Sequence, residues 1–497
     1  MDCTSCWWSI SSPVCLYCFY RKRNGFDMNE LLRRLPSVDA LLAERQLSDL
    51  LAVYQREFVR RRCRAAIEEV RRSLLEERTP ALTSREEMVA LLVDKVLAMV
   101  QTDTRNSLRP VINAGGIVLH TGLGRAPLPQ SVKENINHVL QGYCNLEYDL
   151  ESGKRGERNT HIRRLLCEIT GAEEALLVNN NAAAVFLALN TLASGKEAII
   201  SRGQLVEIGG SFRLPEVMHK SGVIMREVGT TNKTHLRDYE EAITSHTGVI
   251  VVAHTSNYRV LGFTEEVELK ALCQLAHAHN LPLLHDLGAG VLVDFRQFGL
   301  PHEPLVQDSL AAGADVVTFS GDKVIGGLQS GLIVGKRAFL REIHKNPIMR
   351  AVRCDKLVYA AMEATLQLFL RHDLLEEHAT LRLLTSSVQV IRQRAERLLQ
   401  QLSPQTIEAL HIRIQDCQSQ FGSGALPLET LPSVALVLKS SSLSADDLSR
   451  HLRTGEPPII GYIQDDEVYL DMRTVFEEEV EGMAGRLEGV GGEKVIR

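Results

Sequence analysis

The chain has 497 residues, 44% hydrophobic and 24% charged, with 56 basic against 62 acidic side chains and a formal net charge of −6. That is the make-up of a globular protein long enough for roughly three domains of ~150 residues, and it excludes a globally basic nucleic-acid binder, so any RNA surface must be local. Six of the ten cysteines (Cys63, Cys144, Cys167, Cys273, Cys354, Cys417) are scattered without pairing signals, and nothing reads as a signal peptide or bilayer span, so a cytoplasmic protein with no membrane partner is expected.

Residues 1–27 differ from the rest. They carry both tryptophans, Trp7 and Trp8, and Cys3, Cys6, Cys15 and Cys18 as two C-x2-C pairs. Four thiolates can hold zinc, but the inner gap is short for a zinc ribbon and no histidine assists. The preferred reading is an upstream extension or disordered segment, with Met28 opening ordinary helical sequence. Residues 28–100 read as a helical domain and linker. Leucines recur at helical spacing from Leu31, a long helix is predicted over 48–77, and Ser84 with Glu87 forms a capping box for the next. Seven arginines (56, 60, 61, 62, 64, 71, 72) against Glu57, Glu68 and Glu69 give the long helix a basic face. Such a face is either a solvated surface or a binder of phosphate backbone.

The segment VINAGGIVLHTGLGR (111–125) is glycine-rich and reads as a loop lining a site, with Arg125 among small residues. The charged loop GKRGER (153–158) follows. Strands are predicted over 175–178, 198–201, 223–228, 249–253, 281–286, 316–319 and 332–334, with helices between most of them. That alternation predicts an α/β fold with a mostly parallel seven-stranded sheet in a large domain, 101–360. Helices over 357–370 and 376–402, then strands over 433–438 and 468–472, predict a small α+β domain, 361–497, ending in a loose tail from Gly489.

Chemistry is sought at the carboxyl ends of the strands. FSGDK (319–323) places Lys323 in a tight turn between two apolar strands. A desolvated lysine there becomes a nucleophilic amine suited to pyridoxal 5′-phosphate; the alternative is a hairpin with a solvated lysine. Asp286 ends the apolar strand LPLLHD (281–286), where a carboxylate needs a partner such as a protonated pyridine nitrogen. VNNNAAA (178–184) follows the first strand and opens a helix, so amides around Asn180, Asn181 and Ala182 can take a phosphate. Ser320 can add a hydroxyl to the same phosphate.

With these residues the chain resembles bacterial selenocysteine synthase, the L-seryl-tRNA(Sec) selenium transferase family. The resemblance runs from about Met28 to about Leu487 and rests on LLRRLPSVD (31–39), VINAGGIVLHTGLGR (111–125), VNNNAAA (178–184), VEIGGSFR (206–213), VGTTN (228–232), HTSN (254–257) and FSGDK (319–323). It implies a fold-type I pyridoxal-phosphate enzyme with Lys323 as the Schiff-base lysine. It also implies a homodecamer built as a pentamer of dimers, and an amino-terminal domain that grips tRNA(Sec). The implied reaction turns L-seryl-tRNA(Sec) into L-selenocysteinyl-tRNA(Sec). The serine hydroxyl is eliminated to an aminoacrylyl intermediate, and selenium is added from selenophosphate. In that reading Lys323 moves the Cα proton, Asp286 faces the ring nitrogen, and Arg125 with the pair Arg350 and Arg353 of MRAVR (349–353) receives the anionic selenium donor.

The serine carboxylate is esterified to tRNA, so no clamp for it is required and Arg473 reads as structural or oligomer-related. Tyr462 stands where the family pattern leads one to expect a basic residue. The alternative is a related pyridoxal-phosphate lyase acting on a small free amino or sugar acid, which the helical amino-terminal module argues against. A tRNA-binding protein without catalysis is a further alternative, disfavoured by the intact Lys323 and Asp286.

Overall fold

The structure, a computed structural model, describes residues 32–76, 84–208, 212–422 and 429–492. The cysteine pairs of 1–27 lie outside the described residues. The chain divides into two compact units between Arg109 and Pro110. The division falls beyond residue 100 because the helix Arg85–Thr104 runs through that point.

The first unit is helical: Val38–Leu42, Arg45–Leu51, α1 (Arg56–Leu75) and α2 (Arg85–Thr104). The helix predicted over 48–77 is therefore two helices. They break at Gln55, whose extended backbone caps α1, while Tyr54 turns back to pack on Phe58. α1 buries Val59, Cys63, Ala66 and Val70 against Met88, Leu92 and Val96 of α2, the 3.6-residue stripe of an amphipathic pair. The capping box forms: Ser84 accepts from the Glu87 amide, and Glu87 accepts from that of Ser84.

The second unit holds the seven predicted strands: β1 (Glu174–Val178), β2 (Glu197–Ser201), β3 (Ile224–Val228), β4 (Thr247–Ala253), β5 (Leu283–Gly288), β6 (Val316–Ser320) and β7 (Gly331–Gly335). They form one sheet in the order β1-β7-β6-β5-β4-β2-β3, parallel except for β7, which is antiparallel to both neighbours. Its two faces bury separate cores. One contains Leu166, Tyr239, Leu272 and Met362. The other contains Val185, Leu187 and Leu189 of α3 (Asn181–Ala193), with Leu214 and Leu340.

A five-stranded sheet lies beside it, in the order Tyr462–Gln464, Glu467–Asp471, Thr430–Leu438, Arg413–Gly422, Ile117–Leu119. The glycine-rich stretch is thus partly strand: Ile112–Asn113 pairs with Ile459–Ile460, and Ile117–Leu119 with Arg413–Gly422. Asp471 organises this junction. Fully buried, it accepts from Ser419 and Ser433, both at 2.6 Å, and from the Arg473 amide at 2.9 Å. Gly116 lies against it with no room for a β-carbon. Arg473 is buried too, donating to the carbonyls of Leu383, Leu384, Ser386 and Pro432. Tyr462 stacks on Tyr469 with centroids 5.1 Å apart.

The helix predicted over 376–402 is broken into Leu374–Glu377, Ala379–Thr385 and Val388–Gln400, with His378 and Ser387 as caps. The tail from Gly489 continues as helix to Gly492, held by buried Leu487 and Val490. Among the described residues, no helix is long and apolar enough to cross a membrane.

Candidate active site

The site lies where β1, β7, β6 and β5 end. In register, Val178 of β1 stands beside Gly331 of β7, and Gly331 beside Ser320 of β6. Gly331 touches the Asn180 backbone so closely that a β-carbon would overlap it. The structure thereby brings Ser320 and the start of α3 together. The Asn180 side chain caps α3, accepting the Ala183 amide at 2.8 Å. The first-turn amides of Asn181 and Ala182 have no intrahelical acceptor, so they are the donors left for an anion. The Asn181 side chain does something else: it donates to Asp286 at 2.8 Å.

Asp286 lies in β5 beside Thr318 of β6 and Ala253 of β4. Thr318 also donates to it, at 3.2 Å, as does the Gly288 amide at 3.3 Å. Burial pushes its pKa up, opposed first by the Asn181 bond and then by the charge of Lys323. Lys323 is 5% exposed. Burial pushes its pKa down, opposed by Asp286, while the Arg125 guanidinium adds to the lowering. This is the environment in which an amine is held as a nucleophile.

Lys323 sits in a longer loop than the expected tight turn, spanning 321–330 and almost wholly buried. The loop is closed by Gly326 N–H to the Lys323 carbonyl (3.0 Å) and Gly321 N–H to the Ser330 carbonyl (2.9 Å). His378 clamps it: one ring nitrogen donates to the Ile325 carbonyl at 2.8 Å, and the other accepts the Leu381 amide at 3.2 Å. Those partners require a neutral ring, and burial holds the His378 pKa down at about 4. Buried His285, beside Ser309, is pushed down to about 3, again mainly by burial.

An unfolded histidine titrates near ~6.5. Stability from the two neutral rings is thus fully present above about pH 6.5 and is lost as pH falls toward 4 and 3. On the order of 4 kcal/mol should be gone by pH 5, taking about 1.36 kcal/mol per pH unit for each ring. Urea midpoints measured at pH 7.5, 6 and 5 are expected to fall in that order. A flat series would contradict the neutral assignment.

Arg125 adopts a left-handed backbone, φ 62°, and binds Asp322, the residue before the lysine, at 2.5 Å. Through the strand Ile117–Leu119 it is carried on the small sheet, yet it reaches the Lys323 loop. Arg353 pairs with Val178 through an isolated bridge at the edge of β1 and lies 3.6 Å from Glu147. Arg350 is exposed and forms no ion pair among the described residues. Among the described residues neither arginine shares an ion-pair partner with Arg125, which binds Asp322 while Arg353 faces Glu147.

Four features escaped sequence reasoning. Asp322 holds Arg125. Glu147 gathers Arg155 (2.6 Å), Arg158 (2.5 Å) and Arg353, and the Arg158 bond leads in lowering its pKa. Buried Glu303 pairs with His254 at 3.1 Å, and the His254 amide donates to the Asp286 carbonyl at 2.8 Å. Ser256 is buried with an unpartnered hydroxyl. The HTSN motif (254–257) was the available signal for His254 and Ser256.

These residues fit pyridoxal phosphate on structural grounds. Asn181 Oδ1 and Ser256 Oγ are buried polar atoms without partners, flanking the acid and the amine. The missing β-carbon of Gly288 leaves space bordered by Lys323 Nζ. Among the described residues, no cluster of histidine, cysteine and carboxylate side chains could hold a metal.

The family model described as L-seryl-tRNA selenium transferase matches residues 111–476, and that of the selenocysteine synthase N terminal matches 32–71. The L-seryl-tRNA(Sec) selenium transferase of Carboxydothermus hydrogenoformans is 45% identical over 454 residues, covering 91% of this chain and 96% of that protein. The enzyme of the same name from Caldanaerobacter subterraneus subsp. tengcongensis is 43% identical over 465 residues, covering 94% and 99%. A solved D-glucosaminate-6-phosphate ammonia-lyase superposes with a TM-score of 0.54 at 20% identity, covering 78% of this chain and 98% of that one. It shares the fold, which is fold type I of the pyridoxal-phosphate enzymes. The chain is an enzyme of the L-seryl-tRNA(Sec) selenium transferase family.

Proposed function

We propose that the protein converts L-seryl-tRNA(Sec) to L-selenocysteinyl-tRNA(Sec) with selenophosphate, using pyridoxal 5′-phosphate carried on Lys323. The observation that carries this is that Lys323, just beyond the end of β6, and Asp286, in the adjacent β5, are both buried. When bound, the cofactor supplies an electron sink for the charge left as the serine Cα loses its proton. Asp286, oriented by Asn181 and Thr318, keeps a proton on the ring nitrogen. Ser320 and the Asn181 and Ala182 amides receive the cofactor phosphate. Lys323, its pKa lowered by burial, takes the Cα proton, and the serine hydroxyl leaves Cβ. Arg125, steadied by Asp322, holds the anionic selenium donor, with Arg350 and Arg353 adding positive charge. Arg473 spends its terminal nitrogens on main-chain carbonyls, which suits a substrate whose carboxylate is esterified.

Incubation with seryl-tRNA(Sec) and selenophosphate is expected to yield selenocysteinyl-tRNA(Sec). Breakdown of free serine with seryl-tRNA(Sec) left untouched would overturn the proposal in favour of a small-molecule lyase.

tRNA recognition is assigned to the first unit. On α1, Arg60, Arg62, Arg64 and Arg71 are engaged by Glu57, Asp103, Glu57 and Glu68. Exposed Arg61 and Arg72 have no ion-pair partner among the described residues and stand opposite the buried stripe. Phosphate neutralisation releases counterions, so each arginine adds about one to the salt slope of binding. Arg61→Ala with Arg72→Ala is expected to flatten that slope for tRNA(Sec) by about two. An unchanged slope would move the RNA surface elsewhere. A homo-oligomer belongs to the same proposal, supported by the exposed apolar Leu261 and Phe263 on one loop.

A further inference from the structure

Ser256 is 1% exposed, and its hydroxyl has no partner in the protein. A buried donor left unpaired is unfavourable, and a ligand atom that accepts from it relieves the cost. The hydroxyl borders the space over Gly288, whose φ of +68° suits a residue without a side chain. A β-carbon at Gly288 would lie 3.4 Å from Ser256 Oγ and 3.9 Å from Lys323 Nζ. The unpaired hydroxyl and the amine therefore face one gap. Its position is fixed relative to Asp286 by two main-chain bonds: Ser256 N–H to the His254 carbonyl (2.9 Å), and His254 N–H to the Asp286 carbonyl (2.8 Å).

Pyridoxal phosphate has two polar ends in its ring plane. The ring nitrogen lies across the ring from the carbon that bonds the lysine. The 3-oxygen lies next to that carbon. The carbon's other ring neighbour carries the phosphate arm. With the nitrogen at Asp286, the phosphate goes to Ser320 and the α3 amides, on the β6 side of β5. The Ser256 hydroxyl, which follows β4 on the opposite side of β5, is left to the 3-oxygen.

We infer that the Ser256 hydroxyl donates a hydrogen bond to the 3-oxygen of the cofactor and so sets the pH at which the Lys323-linked nitrogen releases its proton. This inference rests on the assignment of the cofactor to Lys323. A donor at the 3-oxygen stabilises its anionic form, which is the form left when the neighbouring nitrogen is deprotonated. Removing the donor raises that titration.

The test is a spectrophotometric pH titration of the visible cofactor band in wild-type, Ser256→Ala and Ser256→Thr holoenzymes, each checked for borohydride-reducible cofactor on Lys323. The alanine variant is expected to titrate about one pH unit higher, a tenfold change for one charge-assisted hydrogen bond. The threonine variant, which keeps the hydroxyl, should stay near wild type. An alanine midpoint equal to wild type overturns the inference whether or not turnover falls, since a fall alone would place the hydroxyl on the substrate. Both variants rising together also overturns it, because packing would then set the midpoint. A wild-type protein without a reducible band fails at the cofactor assignment itself.

Discussion

A Lys323→Ala enzyme is expected to convert seryl-tRNA(Sec) about 10⁴-fold more slowly than wild type, the upper end of what one positioned acid–base group contributes. The lysine has two roles in the proposal, holding the cofactor and moving the Cα proton, and no other lysine is buried among the described residues. The fold should survive, because the change removes a group whose charged form burial already disfavours. Far-ultraviolet circular dichroism and gel filtration beside the activity assay would show whether it does. A variant that kept wild-type turnover would remove Lys323 from the chemistry.

Asp286→Asn is expected to cost roughly 10²–10⁴-fold in turnover while leaving the cofactor attached. The estimate takes about 3–5 kcal/mol for losing one partner of a buried charged pair, converted at 1.36 kcal/mol per tenfold. The asparagine keeps the shape and can still accept from Thr318 and Asn181, so packing is preserved and the charge alone is tested. Asn181→Ala, which removes one bond to that carboxylate, should cost far less. Equal losses in the two variants would mean that Asp286 acts through geometry and not through charge.

Most of the large domain is legible in the sequence for a physical reason. Its inner strands are buried on both faces, so they read as continuous apolar runs, and β4 and β6 are buried at every position; only the edge strand β3 is largely exposed. The strand Arg413–Gly422 is not legible: Gln415, Asp416, Gln418 and Gln420 face solvent, and what makes it a strand is pairing with Thr430–Leu438 and with distant Ile117–Leu119. The same long-range pairing hides the strand character of 112–119.

In the site, Lys323, Asp286 and Ser320 are legible because each stands at or just beyond the end of an apolar run. Asp322 and Ser256 are not, since the burial of one carboxylate or one hydroxyl leaves no periodic trace. Arg350 and Arg353 join the lysine only through the family resemblance; Arg353 stands at the edge of β1 and Arg350 is exposed.

Every role assigned to the site depends on Lys323 carrying the cofactor. Borohydride reduction of the purified protein, followed by proteolysis and mass spectrometry, tests it directly. A single pyridoxyl group on Lys323, abolished by Lys323→Ala and retained by Asp286→Asn, is the predicted result. Stoichiometric label on another lysine, or label that persists in Lys323→Ala, would contradict it.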